Sequence, residues 1–130
     1  MKIKTLKPDR RWLRHARKAG ITARTGNRDC PLKKALLKIL ERGRRFPGRS
    51  KTMRGEPCRC HSNSAACWDE NRELCRICTG YALSKDGVWR QHSWVLTNDG
   101  TVVETTEKRV QYFGYVMTEE ECEEFLESNW

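Results

Sequence analysis

No stretch of the 130-residue chain holds the run of about 18 apolar residues that a membrane helix needs, so no transmembrane span and no membrane partner are expected. The opening "MKIKTLKPDRRWLRHARK" is charged throughout and lacks the apolar core of a secretory signal. We therefore expect a cytoplasmic protein. No internal repeat appears. A disulfide framework wants an even cysteine count and an oxidising compartment, and the chain has 7 cysteines. In a reducing compartment these thiols are expected to be free, metal-bound or catalytic. The length suits one domain with a real core and is too short for two comfortable ones.

Charge is present in quantity but unevenly placed. Residues 1–57 carry 19 Lys/Arg against 4 Asp/Glu, whereas residues 58–130 carry 7 against 13. The net charges of +15 and −6 give the chain its +9. Such a split reads as a basic arm attached to a near-neutral fold. Arg10, Arg11, Arg14, Lys33, Lys34, Arg44 and Arg45 form the candidate basic patch, suited to nucleic acid or to an acidic protein. A solvated surface, or an arm packed on the chain's own acidic tail "TEEECEEFLESNW", is the simpler alternative.

The periodicity gives an order of elements. A weak helical stretch covers about residues 9–19, with Trp12, Leu13 and Ala16 on one side. "PLKKALLKILERG" is a better helix, with Pro31 in its first turn, an apolar stripe through Leu36 and Ile39, and Gly43 just past its end. "RRFPGRSKTMRGEP" shows no period and reads as a flexible linker over 44–57. Residues 62–77 read as a helix capped by Ser62 or Asn63, burying Ala65, Trp68, Leu74 and Ile77. Strands follow in "CTGYALS", "VWRQHSWVLT", "TVVETT" and "VQYFGYVM", separated by "KDG" and "NDG" turns. Thr118 with Glu121 makes a capping box for a last helix ending near Ser128. The expected fold is α+β: a basic helical arm, 1–57, and a core domain, 58–130, in which an antiparallel meander of three or four strands packs with helices.

Three residues stand in a workable catalytic order. A cysteine hydrolase needs a thiolate, a base and a group that orients the base. Cys60 precedes the helix of 62–77, beside Arg59 and His61, where the helix dipole and positive neighbours favour the anion. His92 lies in one strand and Glu104 in the next. Side chains alternate faces along a strand, so the hairpin's register decides whether those two meet. A three-residue loop Asn98-Asp99-Gly100 opposes Thr97 to Thr101 and makes Glu104 the diagonal neighbour of His92, about 7–8 Å away at the backbone. A two-residue turn puts them on opposite faces.

These residues also carry a resemblance. "CHSNS", "GYALSKDGVWRQHSWV" and "VVETT" followed by "YFGY" resemble a group of small bacterial and phage proteins, over roughly residues 58–115. The order Cys60, His92, Glu104 resembles the papain-like and NlpC-type cysteine peptidase plan, in which a helix-borne cysteine faces a β-meander. That likeness implies a papain-like core, a Cys60 nucleophile, a His92 base and a Glu104 orienting acid. The chain departs from many such enzymes in having Glu where Asp, Asn or His is commoner. No Gln precedes the cysteine, so Gln91 or the Cys60 backbone N–H is left to build an oxyanion hole.

The expected activity is a thiol-dependent hydrolase or acyl-transferase acting on a peptide, amide or thioester, with no cofactor. Asn63, Gln91, Trp89 and Trp94 are candidate binding residues; one of the two tryptophans should be core and the other should line a cleft. Two alternatives stay open. One is a non-enzymatic protein binding nucleic acid or protein through its basic half. The other is a structural zinc module using Cys58, Cys60, Cys75 and Cys78. The intervening helix counts against zinc, because 14 helical residues span about 21 Å and hold the two pairs apart. Cys30, Cys67 and Cys122 read as packing residues.

Overall fold

The computed structural model describes residues 31–47 and 50–129. The weak helix at 9–19, Cys30 and the basic residues Arg10, Arg11 and Arg14 lie outside them. In chain order the elements are α1 (Pro31–Arg42), β1 (Arg44–Pro47), β2 (Ser50–Thr52), α2 (Cys60–Glu70), β3 (Cys75–Leu83), β4 (Trp89–Thr97), β5 (Val102–Glu104), β6 (Gln111–Val116) and α3 (Glu119–Ser128). The class is α+β, three helices on a six-stranded mixed sheet of order β1-β6-β3-β4-β5-β2. Only β2 with β5 is parallel.

The sheet curls, and its two faces carry two separate cores. Strand alternation sends Cys78, Ala82, Trp94, Val102 and Tyr112 inward, where they meet Phe46 from β1. Trp94 and Tyr112 pack with ring centres 4.8 Å apart, and Phe46 meets the Trp94 edge at 5.6 Å. The other face takes the helices: Leu36 and Ile39 of α1, Trp68 of α2 and Cys122 of α3 pack on Ile77, Val95, Phe113 and Tyr115. Glycine makes the inner packing feasible at one place. Gly80 lies opposite both His92 and Gly114, and a Cβ on Gly80 would stand 2.5 Å from the Gly114 Cα. A Cβ on Gly114 would stand 2.7 Å from the Trp94 ring.

The structure departs from the sequence reading in three places. Residues 44–57 are not a plain linker: they hold β1 and β2, which close the two edges of the sheet. Strands of three and four residues show no period, and Pro47 is tolerated because β1 has one outer edge. The strands are also not a meander, since β6 crosses over to pair with β3 instead of β5. Pairing is non-local, so strand pattern alone does not report it. β1 and β2 belong to this one sheet, and α1 packs against it through Leu36 and Ile39. Finally, α2 runs over 60–70 and not 62–77. Asn71 N–H closes on Trp68 O and Leu74 N–H on Asn71 O, turning the chain out of the helix. Leu74 is 63% exposed, and Ile77 is buried from β3 instead.

The last helix follows its sequence signature. Thr118 Oγ1 accepts from Glu121 N–H, and the Glu121 carboxylate accepts from Thr118 N–H. That carboxylate also accepts from Lys38 at 2.7 Å and Arg42 at 2.9 Å, joining α3 to α1. Burial pushes the Glu121 carboxyl up, but Arg42 and Lys38 outweigh it and hold it down at about 2. Its stabilising contribution is therefore complete above the ordinary carboxylate range and fades as pH falls towards about 2. Glu121→Ala should lower stability by about 1–2 kcal/mol, the sum of a lost cap and two partly exposed ion pairs. In urea melts the gap from wild type should narrow as pH is lowered from about 5. A gap that stays constant with pH would assign the effect to packing.

Candidate functional site

β4 and β5 form a hairpin whose register brings His92 and Glu104 onto the inner face. Val95 opposes Val103 and Leu96 opposes Val102. The loop is Asn98-Asp99-Gly100: Thr97 N–H donates to Thr101 O at 2.9 Å, and Gly100 takes φ 86°, a left-handed value glycine adopts at little cost. This is the longer of the two loops considered from the sequence, and it puts the diagonal pair on one face. His92 Nε2 and Glu104 Oε1 are 2.8 Å apart. His92 is 2% exposed and Glu104 0%.

Glu104 is surrounded by donors. Besides the His92 ring, Oε1 accepts from the Tyr112 hydroxyl at 2.8 Å. Oε2 accepts from the Thr106 N–H at 3.0 Å and the Thr106 hydroxyl at 3.1 Å. The Arg109 guanidinium stands 3.9 Å away. Burial pushes this carboxyl up, but the hydrogen bond and charge of His92, with Thr106 and Tyr112, hold it below its usual value. Tyr112, Thr106 and Arg109 were not singled out from the sequence. Tyr112 looks there like one more aromatic of a buried strand, and only the β3–β6 pairing carries it to Glu104.

Cys60 is the first residue of α2, and the rings of His61 and His92 are the two groups that act most strongly on its thiol. It reaches His92 because β5 leaves β4 beyond the Val95–Val103 pair, opening that edge of β4. With Nε2 on Glu104, Nδ1 is the ring nitrogen left for the thiol. Burial alone pushes the Cys60 thiol up, but the imidazole rings of His61 and His92 outweigh it and bring it down to about 5. In His92, burial pushes down while Cys60 and Glu104 push harder the other way, so its pKa is raised. Both shifts run towards a thiolate beside an imidazolium and away from the neutral pair. His61 is itself anchored: Nδ1 lies 2.6 Å from Ser93 Oγ, which lies 2.9 Å from Thr79 Oγ1, and Phe125 meets the ring edge-on at 5.7 Å.

The segment entering α2 is unusual in its backbone. Cys58 has φ 60°, and among the described residues no other non-glycine residue has a positive φ. The N-cap Arg59 makes no side-chain cap. Asn63, considered from the sequence as a cap or binding residue, is not the cap: Nδ2 donates to Glu56 O at 2.8 Å and Oδ1 accepts from Glu56 N–H at 3.1 Å. It pins the loop that delivers Cys60. A cavity of about 460 Å³ is lined by Cys60, Gln91 and His92 together with Arg54, Thr106 and Arg109.

The remaining candidates fall elsewhere. Trp89 belongs to the helix-side core and Trp94 to the inner core, so neither lines a cleft; both faces of the sheet are covered, by helices and by the curl. The four zinc candidates do not converge. Cys75 and Cys78 face opposite sides of β3, and Cys58 is exposed ahead of α2. Among the described residues no group of three or more His, Cys, Asp or Glu stands where it could hold a metal ion. Cys122 packs in the core, accepting the Ile77 N–H at 3.4 Å. Of the basic patch, Arg44 stacks on Phe46 at 4.9 Å, Arg45 lies on β1, and Lys33 and Lys34 fall in the first turn of α1. Among the described residues no helix is long and apolar enough to cross a membrane. Compared with family models, curated proteins and solved structures, the chain matches none, so the site's chemistry rests on its own geometry.

One measurement separates this thiol from the others. Burial raises the Cys67 and Cys122 thiols, and lifts Cys75 to about 11. Alkylation by iodoacetamide, followed cysteine by cysteine, should therefore show Cys60 reacting with a midpoint near pH 5 and those three unreactive until alkaline pH. His92→Gln keeps an N–H donor for Glu104 but removes the imidazolium, and should move the Cys60 midpoint up towards the ordinary thiol value of about 8.5. An unchanged midpoint in that variant would mean His92 does not ionise the thiol.

Proposed function

We propose that the protein is a thiol-dependent acyl hydrolase or transferase, with Cys60 as nucleophile, His92 as acid and base, and Glu104 as the orienting group. One observation carries the reading: a buried imidazole, fixed through Nε2 on a buried carboxylate, lines one cavity with a thiol at the start of a helix and draws that thiol's pKa down to about 5. Structural cysteines in this chain show the opposite tendency.

The chemistry follows from which atom holds the proton. The Cys60 thiolate attacks the carbonyl carbon of a peptide, amide or thioester, and the carbonyl π electrons move onto oxygen. As the tetrahedral adduct collapses, the bond to the leaving group breaks and His92 Nδ1–H protonates that group. The neutral ring then takes a proton from water, or from another acceptor, which attacks the thioester and releases Cys60. Glu104 keeps the proton on Nε2 throughout, so that Nδ1 always faces the sulfur. Oxyanion donors are available at the start of α2. The first bond of the helix runs from Asn63 N–H to Arg59 O, and Arg59 provides no cap. The N–H groups of Cys60, His61 and Ser62 are thereby left without an intrahelical acceptor. The Gln91 amide is a further candidate donor at the cavity wall.

Incubation with a peptide thioester should give an acyl adduct on Cys60 alone, seen by intact-mass and peptide mapping. His92→Gln should slow its formation by about 10²-fold or more. Glu104→Gln should retain the adduct at neutral pH with a reduced rate, because the ring loses the anion that stabilises its positive form. Adducts spread evenly over Cys58, Cys60 and Cys67 would refute a dedicated nucleophile.

A further inference from the structure

The cavity at Cys60 shares a wall with a larger one of about 870 Å³. Together they gather Arg54, Lys85, Arg90, Lys108 and Arg109 against two carboxylates, Asp86 and Glu107. Two of the cations are already employed. Arg90 makes a two-point pair with Asp86 at 2.8 and 3.1 Å. Arg109 donates to Ser84 Oγ and Glu107 O and stands beside Glu104. Arg54, Lys85 and Lys108 are exposed, and set the sign of the basin. The thiolate and imidazolium cancel, so the approach to the nucleophile is positive.

The backbone beside the thiol has its own signature. Thr97 N–H faces β5, and His92 O faces β3, where Thr79 Oγ1 donates to it at 3.4 Å. Backbone groups alternate edges along a strand, so Gln91, in step with Thr97, turns its N–H and C=O towards the β5 side. The ladder there has already ended at Val95–Val103, and Gln91 is exposed at the cavity. An unpaired strand edge next to a nucleophile fits an extended peptide, which adds by backbone hydrogen bonds. Among the described residues neither cavity is lined by Phe, Tyr or Trp, the rings on which a nucleotide base would stack.

We propose that the acyl donor is an extended acidic peptide, paired through its backbone to the free edge of β4 at Gln91, with carboxylate or phosphate side chains directed to Arg54, Lys85 and Lys108. This rests on Cys60 being the nucleophile.

The test uses peptide vinyl sulfones, to which the Cys60 thiolate adds at the β-carbon while His92 delivers the proton to the α-carbon. Parallel probes carry Asp/Glu, phosphoserine, the isosteric Asn/Gln, or Lys, and labelling of Cys60 is timed by mass spectrometry. The acidic probes should label about tenfold or more faster than the Asn/Gln probe at low salt, with the advantage shrinking as ionic strength rises. Comparing Asp/Glu with phosphoserine tells which anion is preferred. Arg54→Glu with Lys108→Glu should remove or reverse the ranking. Equal rates for acidic and Asn/Gln probes would overturn the inference, as would a ranking that survives the double substitution. Faster acylation of Cys60 by a coenzyme A thioester than by any peptide would overturn it in favour of a nucleotide-bearing donor. Iodoacetamide distinguishes the two levels of failure. If Cys60 keeps its midpoint near pH 5 but shows no charge preference, only the substrate class falls; if the midpoint is an ordinary one, the nucleophile and this inference fall together.

Discussion

A carboxylate with no solvent exposure sits inside the curled sheet, and the rest of the site is arranged around it. Taking such a charge out of water costs several kcal/mol unless its lone pairs are met. Glu104 meets them with a ring nitrogen, a phenol, a hydroxyl and a backbone N–H, and has a guanidinium within 4 Å. Those donors come from β4, β6 and the segment after β5. The residue is thus a fastening point as well as part of the site: it ties strands that are not neighbours in the sheet, and it fixes which nitrogen of His92 carries a proton. Aromatic packing supports the same ring, since Trp94 and Tyr112 each stack near it at 6.2 Å.

From that anchor the ionisation runs outward. Glu104 stabilises positive His92, and positive His92 stabilises the Cys60 thiolate. Each partner is less buried than the one before it, from 0% exposed at Glu104 through 2% at His92 to a half-buried thiol at the cavity. The order suits a nucleophile. A low-dielectric interior strengthens each pair, while the thiol stands at the cavity wall.

Local chemistry was legible in the sequence and long-range pairing was not. The sequence left two loops open after Thr97, and only the three-residue Asn98-Asp99-Gly100 loop put His92 and Glu104 on one face; the structure holds that hairpin. Thr118 and Glu121 likewise announce a cap within four residues. By contrast, β1 and β2 are too short to show alternation, and the β6–β3 pairing joins residues far apart in the chain. The Tyr112 hydroxyl, which reaches Glu104 through this pairing, was invisible for the same reason. Trp89 and Trp94 were placed correctly on opposite faces, but a strand's pattern does not say that both faces are covered.

The N-termini of α2 and α3 differ in a way stability alone does not explain. The N-terminus of α3 carries a complete capping box, while α2, of similar length, begins at Cys60 with an arginine that caps nothing. A serine, aspartate or asparagine at that position would typically add about 1 kcal/mol. Just before it, Cys58 holds a left-handed backbone that costs an L-residue roughly 1–2 kcal/mol. Two local costs within three residues persist because Asn63 clamps Glu56 and the core under Trp68 holds the helix. A capping side chain would occupy the same N–H groups that an oxyanion needs, and would compete with the thiolate for the positive end of the helix. Leaving α2 uncapped keeps both free, so under the proposed acyl chemistry the stability given up there falls where an oxyanion and a thiolate would use it.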